Sequence, residues 1–68
     1  MNEETFNLSI RKFLKMVGIR SQREIEQAVQ KARAQGRIGG EESFPVTVNL
    51  RIQSLDLDIR IDGEIDLE

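Results

Sequence analysis

Apolar residues recur along the opening of the chain at helical spacing. Phe6, Ile10, Phe13, Leu14 and Val17 stand at i, i+4, i+7, i+8 and i+11, which is one face of an α-helix. Asn2 is a favourable N-cap, and Glu3 and Glu4 occupy the turn where the helix dipole favours anions. Lys12 and Lys15 fall in the last turns, where cations are favoured, and Gly18 can take the left-handed conformation that closes a helix. The spacing predicts a first helix over residues 3–17. Ser21-Gln22-Arg23-Glu24 then has the form of a capping box, in which the serine accepts from the N3 amide and the glutamate reaches back to the N-cap amide. Ile25, Ala28, Val29 and Ala32 mark one face after it, and Gly36 is a natural stop, so a second helix is predicted over residues 22–35.

The period changes from 3.6 to 2 beyond a loop over residues 36–43, whose glycines and acids mark it as solvated. Phe44, Val46, Val48, Leu50 and Ile52 alternate with Pro45, Thr47, Asn49 and Arg51, which predicts a strand over residues 44–52. Leu55, Leu57, Ile59 and Ile61 alternate with Asp56, Asp58, Arg60 and Asp62, which predicts a second strand over residues 55–61. A two-residue turn at Gln53-Ser54 sets Ile52 against Leu55, Leu50 against Leu57, Val48 against Ile59 and Val46 against Ile61, with Arg51 opposite Asp56. All the apolar side chains then share a face, and a slip by one residue would bury Asp56 and Asp58, so the pattern itself opposes the slip. Gln-Ser is not a preferred two-residue turn, which leaves room for a bulged variant. Ile65 and Leu67 keep the parity of Leu55 to Ile61. Residues 64–67 therefore either continue the second strand through Gly63 or fold back as a third, and strand length favours the third strand.

The sheet needs a cover for its apolar face, and both helices carry matching stripes. The expected fold is α+β: a two-layer sandwich of two N-terminal amphipathic helices packed on a C-terminal antiparallel hairpin or three-stranded meander, in the order ααββ(β).

With 68 residues the chain has room for one domain and one small core, so its stability margin is thin. Small scaffolds usually add disulfides, a metal or a partner subunit, yet cysteine and histidine are both absent here. Regular local structure or self-association has to make up the difference. The lack of cysteine fits a reducing compartment, the acidic Met1-Asn2-Glu3-Glu4 start differs from a secretory signal, and no uncharged apolar run approaches membrane-spanning length. A cytoplasmic location is expected. The net charge of −2 conceals a split: residues 1–40 hold eight basic against four acidic side chains, and residues 41–68 hold two basic against eight acidic.

Chemistry is sparse. Without His, Cys or Tyr the usual proton-transfer and thiol routes are missing, and Ser9, Ser21, Ser43 and Ser54 have no imidazole to activate them. No catalytic residue, cofactor or small-molecule substrate is expected. The acidic run Asp56, Asp58, Asp62, Glu64, Asp66 and Glu68 fits a calcium loop poorly: with Asp58 first, Arg60 stands at a ligand position and Glu68 falls one place short of the bidentate glutamate. A solvated strand face that deters edge pairing explains it better. Gly36, Gly39 and Gly40 lack the Gly-Lys-Ser/Thr of a phosphate loop. Two helices joined through Gly18 do have the form of a helix-turn-helix, in which Arg23, Gln27 and Gln30 would face base edges and Lys31 a phosphate. Glu24, Glu26 and the acidic hairpin oppose that reading, and a solvated helix face accounts for the same residues. Leu8, about 200° around the wheel from Phe6 and near Lys12 and Lys15, marks a candidate partner surface on the first helix.

Thr5-Phe6-Asn7, Ser9-Ile10-Arg11-Lys12-Phe13-Leu14-Lys15, Val17-Gly18, Ser21-Gln22-Arg23-Glu24-Ile25-Glu26 and Asp62-Gly63-Glu64-Ile65 together resemble a family of short uncharacterised bacterial proteins, classed as a domain of unknown function. The resemblance spans nearly the whole chain and is densest in its opening. It implies a bacterial source and brings no activity, ligand or catalytic residue. The function expected is therefore a non-catalytic protein-interaction module that binds a protein partner or a second copy of itself, with a nucleic-acid-binding module as the alternative.

Overall fold

Asn2 opens the helical part as its side chain predicts: its Oδ1 accepts a hydrogen bond from the Thr5 amide at 3.0 Å. From there a computed structural model covering residues 1–68 carries one uninterrupted helix, α1 (Glu3–Ala34), of 32 residues. The two helices expected over residues 3–17 and 22–35 are a single element. Positive φ among the glycines occurs at Gly36 (74°) and Gly40 (114°), so Gly18 is an ordinary helical residue and not a left-handed stop. The reason lies in the balance of end effects. A glycine inside a helix costs about 1 kcal/mol relative to alanine. A break there would instead strand four N–H and four C=O groups at the new ends, and Ile19-Arg20-Ser21 holds no proline to force it. Ser21, read as an N-cap, lies mid-helix. At the far end the prediction holds: Gln35 is the C-cap, its N–H donating to the Lys31 carbonyl at 3.0 Å, and Gly36 takes the left-handed conformation just beyond it.

The C-terminal part is a two-stranded antiparallel hairpin of β1 (Ser43–Ile52) and β2 (Leu57–Asp66). A 3-10 turn over Gln53–Leu55 and a left-handed Asp56 (φ 53°) connect them, with the Asp56 N–H donating to the Gln53 carbonyl at 3.1 Å. The connection thus has four residues, not the two expected at Gln53-Ser54. A two-residue hairpin turn needs positive φ that neither glutamine nor serine takes readily, whereas aspartate tolerates it. Each partner moves by two positions as a result: Ile52 faces Leu57, Leu50 faces Ile59, Val48 faces Ile61, Val46 faces Gly63 and Phe44 faces Ile65. A shift by two preserves the side-chain parity, so the apolar face survives the error in register. Arg51 now faces Asp58 in place of Asp56, and their side chains form an exposed ion pair at 3.4 Å.

The third strand favoured for residues 64–67 does not form. β2 runs straight through Gly63, and every residue from Ser43 to Ile52 has a partner on it. Because the turn absorbs Leu55 and Asp56, β2 is 10 residues long and stays within ordinary strand length. Folding back at Gly63 would have left Ser43 to Val46 unpaired. The Ser43 hydroxyl also donates to Asp66 at 2.7 Å, and the Leu67 N–H to the Glu42 carbonyl at 3.0 Å, closing the open end of the hairpin.

The chain is α+β in the order αββ, and the layer of two packed helices expected for a sandwich is absent. It divides into two compact units, Met1–Gln35 and Gly36–Glu68. No side chain in either is fully buried, so neither unit has a core of its own. No helix is long and apolar enough to cross a membrane.

Candidate functional site

Joining the two predicted helices into one joins their stripes. Along α1 the positions Phe6, Ile10, Leu14, Val17, Ser21, Ile25, Ala28 and Ala32 follow one another at spacings of four and three residues, and Phe13 widens the stripe near its start. Phe6, Val17 and Ala28 are eleven apart, as are Leu14 and Ile25, and Ile10, Ser21 and Ala32. Eleven residues over three turns is about 3.67 per turn, close to the natural 3.6, so the stripe stays nearly parallel to the axis. At about 1.5 Å per residue it extends for roughly 40 Å. Large side chains fill its first half and small ones its second. Phe6 is 50%, Phe13 47% and Leu14 53% exposed, which is high for side chains of this size on an amphipathic face. Val17, Ser21, Ile25, Val29 and Ala32 are half-buried.

Leu8, Lys12 and Lys15 lie on the face of α1 opposite this stripe, all exposed, and Leu8 is 57% accessible. Met16 and Ile19 accompany them, also about half-exposed. Sequence reasoning passed over Ile19 because it fell in the supposed turn between helices; its spacing of eleven from Leu8 was the available signal. Arg23, Gln27, Gln30 and Lys31 share one exposed side of the C-terminal half of α1. They are brought together on consecutive turns, but the helix-turn-helix geometry is not, since no turn separates a first helix from a second. A shallow depression on the helix surface, lined by Ile19, Gln22, Arg23 and Glu26, has no opposing wall within that unit.

In the hairpin unit the carboxylate of Glu42 organises the loop before β1. It accepts from the Gly39 N–H at 2.9 Å, the Gly40 N–H at 2.9 Å and the Glu41 N–H at 3.0 Å. These donors, the Gly39 N–H foremost, lower its pKa from 4.5 to about 2. The backbone nest is thereby filled by the chain's own side chain. On the polar strand face Asp58 pairs with Arg51, and Asp62 accepts from the Arg60 Nε at 2.8 Å.

Comparison with protein families matches residues 1–68 to a family of unknown function, DUF6494. The chain belongs to this family. No curated protein and no solved structure matched it. The long helix and the hairpin described above are therefore the structural content of a DUF6494 chain across its full matched length.

Proposed function

We propose that the chain is a non-catalytic interaction module that associates with a second copy of itself through the apolar stripe of α1. The carrying observation is a long, mostly apolar stripe, interrupted by Ser21 and Glu24, along a 32-residue helix in a chain with no buried side chain. Helices in water draw most of their stability from packing an amphipathic face, and an isolated two-stranded hairpin is marginal at best. A half-exposed phenylalanine or leucine leaves roughly 100 Å² of apolar area to be covered. Phe6, Ile10, Phe13 and Leu14 alone therefore offer about half of the roughly 800 Å² per partner of a standard interface, and the rest of the stripe supplies more. A bacterial source accords with the family resemblance, and a cytoplasmic site accords with the absence of cysteine.

Sedimentation over a range of protein and salt concentrations tests this reading. Association that strengthens with concentration and is lost in Phe13→Asp supports it; a strict monomer at high micromolar concentration removes it. Nucleic-acid binding through Arg23, Gln27, Gln30 and Lys31 is the competing reading, favoured by their shared exposed face. Titration against duplex at low salt decides it, because phosphate contacts are strongest there.

A further inference from the structure

Resting on the self-association just proposed, we infer that the two helices pair antiparallel, in a register whose two-fold axis passes between Val17 and Ser21, level with position 19, whose own side chain points away from the contact. The side-chain sizes along the stripe carry this. In that register Phe6 packs opposite Ala32 of the second copy, Ile10 opposite Ala28, Phe13 opposite Ile25 and Val17 opposite Ser21. Phe6, Ile10, Phe13 and Val17 thus each meet a smaller residue of the second half, while Leu14 comes level with Glu24, whose methylenes can lie along the contact with the carboxylate at its edge, so the distance between helix axes stays nearly even. A parallel pair would instead stack Phe6 and Phe13 on their own copies at one end and Ala28 and Ala32 on theirs at the other. One end would be overfilled and the other left with voids, and interiors tolerate neither well.

Charge points the same way. The first turn of α1 holds Glu3 and Glu4, and the last holds Lys31 and Arg33. Antiparallel pairing runs the acidic end beside the basic end and opposes the two helix dipoles; parallel pairing sets like beside like at both ends. The 11-residue spacing adds that the contact is long and nearly straight, because the stripe does not wind around the helix.

Single cysteines at the two ends test the direction, and the natural chain contains none to interfere. Glu3→Cys and Gln35→Cys are placed on the stripe line outside the packed residues, and in the inferred register position 3 of one copy meets position 35 of the other. Each variant is treated alone and as an equimolar mixture with a short bis-maleimide, with helicity and sedimentation measured alongside. The expected result is a cross-linked dimer in the mixture and little in either variant alone, since like positions would lie about 48 Å apart along the axis. Efficient cross-linking within each single variant overturns the antiparallel inference while leaving self-association standing. A dimeric mass without cross-links in the mixture overturns the register. A monomeric mass overturns both this inference and the function on which it rests.

Discussion

Replacing Gly18 with alanine separates one helix from two by the sign of the stability change. In α1 this glycine has no positive φ, and a Cβ added to it meets nothing within 4 Å. Alanine then removes the conformational freedom that glycine loses on folding and adds no clash, for a gain of about 0.8–1.0 kcal/mol. In a domain of this size that corresponds to a rise in Tm of roughly 4–8 °C. Were Gly18 the left-handed cap of a shorter helix, alanine would be forced into positive φ and would destabilise by a comparable amount. Ser21→Ala repeats the test from the other side. Mid-helix it gains a few tenths of a kcal/mol, whereas loss of an N-cap costs about 1 kcal/mol. The assay is thermal unfolding followed by far-ultraviolet circular dichroism, at matched protein concentration because association shifts Tm by mass action. A lower Tm in Gly18→Ala, accompanied by a fall in helicity, would refute the continuous helix.

Other outcomes follow from the hairpin unit. Glu42 titrates at about 2 in the folded chain against 4.5 for the free side chain, so its stabilisation is complete above about pH 4.5 and is lost as pH falls toward 2. A carboxyl chemical-shift titration should place its midpoint near the lower value, and a midpoint at the ordinary one contradicts the nest; Glu42→Gln should flatten the acid limb of stability against pH. Asp56→Gly should stabilise the hairpin and Asp56→Val should destabilise it by about 1–2 kcal/mol, because a β-branched residue at φ 53° is strained. Equal Tm values for the two variants would exclude the left-handed turn residue.

Period and parity were legible in the sequence because both are local. The helical stripe from Phe6 to Val17 and the one-sided hairpin follow from spacing, the cap at Asn2 and the stop at Gly36 from residue type, and all of them stand in the structure. Parity even survived a register error, because widening the turn from two residues to four moves each partner by an even number. The residues proposed to bind, from Phe6 to Ala32, were also identified as apolar positions, Ser21 apart, but as two separate faces meant for an internal core.

What the sequence could not decide was whether local signals that permit a break are used. Gly18 permits a helix end and Ser21 permits a helix start, yet each costs little inside a helix, and only the sum over the whole element selects continuity. Asp62-Gly63 permits a turn, but the length of β1 pairs every residue through Gly63 and holds the strand straight. Those outcomes depend on which hydrogen bonds the rest of the chain can offer, a question settled by the assembled elements and not by any one of them. The same continuity turned two short stripes into one long one, which is the face proposed above to meet a second copy.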